Sequence, residues 1–291
     1  MTVRKHNYLN NKDILKEIHK SKTTYCSYQT PEDHAYDMIV QSVKTINKKH
    51  IAEARKLRAE RLAKLAHEEA IAGGEKRKLD EFEIKHTKIP ITDIVFRVMT
   101  WDHVPIDDVK TAKARNAAKE AYDDEEDEIA TEYDELDPKH NKYVKCNFPP
   151  FQHYKVTEES EPYCVGKSHW RGDVETGEFC KEHGKMTNKL AHMFVKLCER
   201  YATRSNWRGY TYNDEMRSQA LLQLAQIGLQ FDESKSQNPF AYYTAAITNS
   251  FTRVLNIEKR NQNIRDDILE MNNLNPSYTR QNSGGSSHYE E

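Results

Sequence analysis

The sequence predicts a mainly α-helical protein with a helical bundle on its C-terminal side. The bundle is joined to a small inserted section that is irregular, partly disordered and holds one or two short strands. Three stretches after residue 185 repeat apolar residues every three or four positions, which is typical of amphipathic helices. Residues 44–72 are rich in Ala, Lys, Arg, Glu and Leu and predict a further, charged helix. The best strand candidate is residues 94–99, which are β-branched and aromatic.

Composition limits the classes of protein that the chain can belong to. With 291 residues, 37% of them hydrophobic, it can bury the core of one to three domains. A net charge of -2 says nothing about partners, so any charged binding surface must be local. No apolar run approaches the roughly 20 residues that span a bilayer, and neither secretion nor membrane insertion is predicted.

The cysteines favour a reducing compartment. They are odd in number and widely spaced, and they contain no Cys-x-x-Cys pair. The five are Cys26, Cys146, Cys164, Cys180 and Cys198. A cytosolic protein with free thiols is the natural interpretation.

Changes in composition divide the chain into six segments. They are residues 1–30, a segment that joins the C-terminal module; 31–118, the inserted section with the charged helix and the strand; 119–142, an acidic linker; 143–184, an irregular aromatic segment; 185–262, the helical domain; and 263–291, a tail that is disordered at its end.

The first elements are defined by their helix-end signals. Asn10 and Asn11 predict an Asn-capped helix that runs toward Lys20. The charged helix ends at Gly73 and Gly74, which supply a glycine stop.

The acidic linker contains 11 Asp and Glu residues between Lys119 and Asp137. Such a like-charge run repels itself and favours a solvated or disordered linker, although mimicry of DNA or docking on a basic surface is an alternative. Pro149 and Pro150, with the glycines that follow, favour irregular structure up to Gly184.

The three C-terminal helices are predicted at about 186–203, 212–230 and 239–261. In the second, the glutamines at 219, 223, 226 and 230 form an uncharged polar stripe opposite the apolar one. That stripe either binds a helix of another protein or is an ordinary solvated face.

The third helix begins with strong signals, Asn238 as N-cap and Pro239 in the first turn. One side of this helix carries Tyr242, Ala246, Asn249, Arg253 and Arg260, side chains that could stack on bases, bond base edges and contact phosphates. The alternative is a helix surface with scattered polar residues.

Local charge favours a nucleic-acid partner for the helical domain. Residues 185–262 hold 11 Lys and Arg and 6 Asp and Glu, a local charge of +5 in an otherwise neutral protein. The loop at 205–212 adds Arg208 and three aromatic residues, which either stack on bases or cover a small core. We therefore include Arg208, Lys259 and Arg260 among the candidate DNA contacts.

A zinc site can be written from Cys164-x4-His169 and Cys180-x2-His183, but this spacing is not diagnostic. Reduced cysteines beside loop histidines are the simpler interpretation. No Ser-His-Asp or paired-carboxylate arrangement stands out, so neither an enzyme nor a cofactor is predicted.

Two separated blocks of residues resemble one known family. The matching residues are Asn7, Tyr8, Asn10, Asn11 and Lys12, and then Gly209-Tyr210-Thr211, Glu215-Met216, Phe231-Asp232-Glu233, Asn238-Pro239, Ala241-Tyr242, Thr244, Ala246, Asn249 and Phe251. The family is that of the late-transcription sigma factors of T-even-type phages, especially the longer forms carried by cyanophages. The helical domain also resembles region 2 of bacterial sigma factors. The remainder of the chain resembles an insertion.

The resemblance implies a sigma region 2-like bundle over residues 185–262 and a role for each of its surfaces. Its second helix would dock on the clamp helices of the host RNA polymerase β′ subunit, through Arg217, Gln219, Gln223 and Gln226. Its third helix, with the preceding turn, would recognise and open an AT-rich promoter element, through Phe240, Tyr242, Tyr243, Asn249, Ser250 and Arg253.

The predicted function is therefore that of a phage-encoded sigma factor in the cytoplasm of an infected bacterium. Its predicted partners are host core RNA polymerase and partly single-stranded promoter DNA. A phage coactivator or the sliding clamp is a further expected partner, although only Tyr289-Glu290-Glu291 matches the clamp-binding tail of the family. Cellular sigma factors carry a tryptophan pair where this chain has Ala246 and Ile247, so the wedge that opens DNA must differ. The alternatives are a metal-dependent DNA-binding nuclease and a phage inhibitor of host RNA polymerase.

Overall fold

The structure is a computed structural model that describes residues 9–74, 77–106, 143–159 and 161–284. Three features predicted from the sequence lie outside these ranges: Asn7 and Tyr8, the acidic linker at 119–142, and the chain end from residue 285. Within the described ranges, no helix is both long and apolar enough to cross a membrane.

The described chain forms two compact units. The helical unit comprises the residues up to Ile18, Thr187–Phe231, and the residues from Gln237 onward. The sheet unit comprises His19–Met186 and Asp232–Ser236, so the loop between the last two predicted helices belongs to the sheet unit.

Six α-helices lie in the described residues. They are α1 (Asn11–Thr23), α2 (Lys48–Ala72), α3 (Asn188–Ala202), α4 (Asn213–Ile227), α5 (Pro239–Met271) and α6 (Tyr278–Gly284). Short 3-10 turns occur at Pro31–His34, Val43–Thr45, Leu79–Phe82, His86–Lys88 and Ile91–Asp93.

The predicted helices are confirmed, although α2 begins four residues later and α4 ends three residues earlier than predicted, and α5 is longer. Asn47 caps α2 by accepting hydrogen bonds from the backbone N-H groups of Lys49 (2.9 Å) and His50 (3.0 Å), and Gly73 ends it. The helix α5 is 33 residues long and continues past the predicted end at 261, because neither proline nor glycine interrupts it before Asn272.

Seven strands lie in the described residues. They are β1 (Cys26–Tyr28), β2 (Met38–Val40), β3 (Phe96–Met99), β4 (Phe151–Val156), β5 (Pro162–Ser168), β6 (Trp170–Arg171) and β7 (Glu178–Phe179). The first five form one sheet in the order β1-β5-β4-β3-β2, and β6 pairs with β7. The pair β2-β3 is parallel and the other pairs are antiparallel.

The prediction of a mainly α-helical protein with at most two short strands is wrong. Helices cover about 52% of the structure, and a five-stranded mixed sheet with a second, small sheet makes the arrangement α/β. The segment predicted to be irregular, residues 143–184, holds β4 to β7. Strands β1 and β2 are three residues each, which is too short for a period-2 pattern to be seen.

Proline and glycine also concealed the two longest strands. Pro149 and Pro150 directly precede β4, and Pro162 is the first residue of β5, positions at which a strand tolerates proline. Gly166 lies within β5 beneath the ring of Tyr28, where an added Cβ would come within 2.4 Å of a ring carbon. This glycine permits a close approach between strands and does not break the strand.

One hydrophobic core lies between α2 and strands β2, β3 and β4. Its buried members are Val40, Ile51, Ala54, Ile94, Phe96, Val98 and Val156. Asp37 adds a polar tie, since its carboxylate lies 3.3 Å from Nη1 of Arg58 and 2.8 Å from Nη2 of Arg61 on α2. The same carboxylate accepts a 3.0 Å hydrogen bond from the Val95 backbone N-H.

The interior of the sheet unit also holds three charged side chains, Lys22, Arg97 and Glu233, here called the buried ion cluster. Nζ of Lys22 lies 2.8 Å from Oε1 of Glu233, and Nη1 of Arg97 lies 3.7 Å from Oε2. All three residues are buried. Glu233 thereby holds Asp232–Ser236 in the sheet unit.

Arg97 is further enclosed by aromatic rings and a histidine. Its guanidinium carbon lies 3.9 Å from the ring centre of Tyr36 and 3.8 Å from that of Phe151. Its Nε donates to Nε2 of His153 at 3.0 Å. The other ring nitrogen, Nδ1, must then carry the proton and donate to the Asp33 carbonyl at 2.7 Å, so His153 is neutral with a defined tautomer. Burial and the charge of Arg97 hold its pKa well below the usual value.

Buried charges such as these are stable only when they are paired with one another. Burial lowers the pKa of Lys22 and by itself would raise that of Glu233. The positive charges of Lys22 and Arg97 outweigh that effect, and the pKa of Glu233 lies below its usual value. The carboxylate therefore stays ionised at neutral pH.

We expect Glu233→Gln to lower the free energy of unfolding by about 3–5 kcal/mol, because Lys22 and Arg97 would remain buried without their anion. Urea denaturation measures the change. The matched control is Glu60→Gln, which breaks an exposed pair with Lys64 on α2 and should change stability by no more than about 0.5 kcal/mol. Equal effects of the two substitutions would contradict the role of the cluster.

We expect stability to fall as the pH drops from 6.5 toward 4. Burial, with smaller effects of His103 and Lys22, lowers the pKa of His169 to about 3 from its usual 6.5. The unfolded chain therefore takes up this proton first, and folding loses about 1.5 kcal/mol from this group between pH 6.5 and pH 5. In His169→Asn, which suits the backbone φ of 52° at this position, urea denaturation should show a shallower pH dependence. An identical slope would show that His169 is not responsible.

Candidate nucleic-acid interface

The helical unit is built around α3, α4 and α5, whose apolar stripes face one another. The buried residues are Leu190, Met193, Phe194, Leu197, Cys198 and Tyr201 of α3, Met216, Ala220 and Leu224 of α4, and Tyr243, Ile247, Phe251 and Val254 of α5. These are the stripes that the three- and four-residue spacing predicts. The opposite sides of α4 and α5 are left facing outward.

Two asparagines hold the first turn of α5. The Asn238 side-chain oxygen accepts a 3.1 Å hydrogen bond from the backbone N-H of Ala241, and the Asn11 side-chain oxygen accepts one of 3.1 Å from that of Phe240. Helix starts leave such N-H groups without partners in the helix, so both bonds stabilise this end. Asn11 belongs to the first block of the family resemblance and Asn238 to the second, and the fold brings the two blocks together.

An outward line of side chains runs along α5 and comprises Tyr242, Asn249, Arg253 and Arg260, here called the α5 stripe. Their spacing of 7, 4 and 7 residues puts them on one side of the helix, over a length of about 27 Å. Asn249 and Arg260 are exposed, while Tyr242 and Arg253 are half-buried.

The ring of Tyr242 is held in place by its neighbours. Its centre lies 5.6 Å from the ring of Phe231 and 5.3 Å from that of Tyr243, both in edge-on contact. A half-buried ring fixed in this way is a preorganised surface on which a base can stack. Asn249 can bond base edges, and the two arginines can contact phosphates.

The other predicted DNA contacts are distributed unevenly. Phe240 is partly exposed at the start of α5, and Arg208 and Lys259 are exposed. Tyr243 and Ser250 are buried in the helical core, and the Tyr243 hydroxyl donates a 2.6 Å hydrogen bond to the Gly228 carbonyl. The side chains of these two residues belong to the packed interior of the bundle.

The aromatic loop between α3 and α4 covers the core of the bundle. Trp207 is buried and meets the ring of Phe251 edge-on, with the ring centres 5.3 Å apart. Tyr210 and Tyr212 are half-exposed, and their ring centres are 5.2 Å apart. Trp207 therefore covers the core and is not available to stack on a base. Arg208 and the two tyrosines remain at the surface.

A second outward surface lies on α4 and comprises Gln219, Leu222, Gln223 and Gln226, here called the α4 face. The three glutamines are spaced four and three residues apart and so share one side of the helix. Leu222 lies among them and is 60% exposed. Arg217 points to a different side and pairs with Asp214 at 3.1 Å.

Leu222 is the residue of this surface that the sequence reasoning missed. Its signal was available, since a leucine three residues from Gln219 and four from Gln226 interrupts an otherwise polar side. An exposed leucine rimmed by amides is suited to contact with another helix, because the amides can pair while the leucine is buried.

The candidate metal ligands do not assemble. Cys164 lies in β5, where its thiol donates to the Gly166 carbonyl at 3.5 Å and burial raises its pKa. His169 is buried against Phe148, and Cys180 and His183 are half-buried. In the part of the chain that the structure describes, no three His, Cys, Asp or Glu side chains are grouped so as to hold a metal ion.

Comparison with protein-family models, with curated proteins and with solved structures finds no match for this chain. The functional conclusion therefore depends on the residues and their geometry.

Proposed function

We propose that this protein is a phage-encoded sigma factor that binds host core RNA polymerase and opens an AT-rich promoter element for late transcription. The observation that carries the proposal is the α5 stripe. It offers a fixed aromatic ring, an amide and two guanidiniums along one side of a capped helix. A second observation, the meeting of Asn11 and Asn238 at the start of that helix, supports the two-block resemblance to late-transcription sigma factors.

The α4 face is the proposed polymerase contact. The clamp helices of the β′ subunit form a coiled coil, and an apolar centre within a polar rim is the usual anatomy of a protein–protein contact. Leu222 supplies the centre, and Gln219, Gln223 and Gln226 supply the rim. Arg217 lies on another side of α4, so in this proposal it contacts at most the margin of the partner.

The α5 stripe is the proposed promoter contact. The TA steps of an AT-rich element are among the easiest to unstack, and separating a base pair costs a few kcal/mol. Stacking of a freed base on an aromatic side chain returns about 1–3 kcal/mol, and arginine contacts to phosphate add to it. Binding of the single strand thus drives the opening of the duplex, and no covalent chemistry is required.

Tyr242 and Phe240 are the aromatic residues that we propose to act on the bases. Tyr243 is fully buried, and its hydroxyl is bonded to the backbone of Gly228. Its removal would damage the bundle, so it is unsuitable as a test of DNA opening. Tyr242 and Phe240 lie in the first turn of α5 and are at least partly exposed.

The proposal places the protein in the cytoplasm of the infected bacterium, with a phage coactivator or the sliding clamp as a further partner. Transcription in vitro from an AT-rich phage late promoter, with host core polymerase and this protein, separates it from the alternatives. Initiation at that promoter supports a sigma factor. Loss of transcription by a host holoenzyme, without new initiation, would support an inhibitor, and metal-dependent cleavage of the template would support a nuclease.

We expect Leu222→Glu to weaken binding to core polymerase at least tenfold, because a buried charge would replace the apolar centre of the α4 face. Affinity is measured by titration of labelled core enzyme. The matched control is Leu65→Glu on α2, a similarly exposed leucine in the sheet unit, which should bind normally. Unchanged binding of the Leu222 variant would exclude the α4 face.

We expect Tyr242→Ala to preserve polymerase binding but to reduce open-complex formation about tenfold, since one base-stacking surface is lost. Permanganate reactivity of promoter thymines measures opening. Tyr163→Ala in β5 removes a partly exposed tyrosine elsewhere and serves as the control. Normal permanganate reactivity with Tyr242→Ala and Phe240→Ala combined would reject the melting role.

A further inference from the structure

The second half of α5 extends beyond the bundle and exposes apolar side chains. Helices α3 and α4 are 15 residues each, or about 22 Å long, whereas the 33 residues of α5 extend about 50 Å. In the extension, Ile257, Ile264, Ile268 and Met271 are between 48% and 83% exposed. Exposed large apolar residues are ordinary when scattered but mark a binding site when they are contiguous.

These four residues lie on one side of the helix. Their spacing of 7, 4 and 3 residues matches a heptad in which Ile257, Ile264 and Met271 take position d and Ile268 takes position a. Asn261 takes the preceding a position. We call this side, defined by Asn261 and the four apolar residues, the α5 seam.

The terminal helix α6 does not cover the seam. It is attached to another side of α5, where the side chain of Gln262 donates to the Ser277 hydroxyl at 3.0 Å. Arg280 of α6 pairs with Asp267 at 2.6 Å and with Glu270 at 3.0 Å.

The charged residues on both sides of the seam are complementary to those of a second copy of the same helix. Glu258 and Arg265 occupy the e positions on one side, and Arg260 and Asp267 occupy the g positions on the other. When two copies of this helix run antiparallel with Ile257 opposite Ile268, each e position faces an e position and each g position faces a g position. Glu258 then faces Arg265 of the other copy, and Arg260 faces the carboxylate of Asp267, which Arg280 also contacts. Arg260 belongs to the α5 stripe as well, so the dimer and DNA would compete for this guanidinium.

We propose that the α5 seam is an interface between two copies of this chain, packed antiparallel about a two-fold axis. In this register Ile264 lies beside Asn261 of the other copy, and Ile257 lies beside Ile268. The two-fold axis repeats every contact, so four complementary charge pairs flank two Ile257–Ile268 layers and two Ile264–Asn261 layers.

The opposite orientation is disfavoured by the same residues. In a parallel pair, each g position faces the e position five residues later, which would bring Arg260 against Arg265 of the other copy. Like charges at such positions are repulsive. Arg253 would face Glu258, but Arg253 is half-buried in its own helical unit. The seam is short and contains one asparagine, so the dimer is expected to be weak and to depend on concentration.

The test is the molar mass of the full-length chain, measured by sedimentation equilibrium over a range of concentrations at low salt. A monomer has 34.1 kDa, and the proposal expects a reversible rise toward twice that mass. Ile268→Glu should abolish the rise, while Leu79→Glu, which changes a partly exposed apolar residue in the sheet unit, should not. A wild-type chain that stays monomeric at its highest attainable concentration would overturn the proposal.

Charge reversal tests the orientation. Arg265→Glu puts two acidic residues together in the antiparallel dimer and should weaken it at least tenfold. Combined with Glu258→Arg, it restores complementary pairs and should restore association. In a parallel dimer, Arg265→Glu would face Arg260 and would strengthen association, a result that would overturn the antiparallel arrangement. Circular dichroism on each variant shows that the helices remain folded. None of these outcomes depends on polymerase binding.

Discussion

The ion pair between Lys22 and Glu233 is the constraint on which the sheet unit depends. Charges taken out of water are costly unless they are paired, so Glu233 must remain within reach of Lys22 and Arg97. The two members of the pair are 211 residues apart in sequence. The pair therefore makes Asp232–Ser236 part of a unit whose other residues all precede Thr187. The loop between α4 and α5 is thus a structural component of the sheet unit.

Local signals predicted the helices, and long-range pairing decided the sheet. Asn238-Pro239 and Gly73-Gly74 act within a few residues of themselves, so the ends they define can be inferred from sequence. The parallel partner of β2 lies 58 residues further along the chain, and no local pattern encodes such pairing. The burial of Glu233 could not be predicted from the sequence either. The cations that pair with it, Lys22 and Arg97, come from the distant elements α1 and β3.

The candidate interface likewise contains some features that local patterns predict and others that only the fold brings together. The apolar period of α5 already places Tyr243 with Ile247 and Phe251, and the family resemblance alone assigned it to DNA. The structure follows the period, because adjacent residues on a helix point about 100° apart and Tyr242 takes the outer side. Leu222 could have been found from the sequence, because it is an apolar residue within the polar stripe of α4. The hydrogen bond between Asn11 and Phe240 could not have been predicted, since no local pattern connects the two residues.

The contact between Asn11 and Phe240 has a consequence for biosynthesis. The two residues are 229 positions apart, and the sequence between them contains the whole of the sheet unit. On the ribosome, Asn11 emerges long before the helix that it caps, and the strands are synthesised in the interval. Both units therefore complete their folding only late in translation, because the sheet unit also needs Glu233, which is synthesised just before α5.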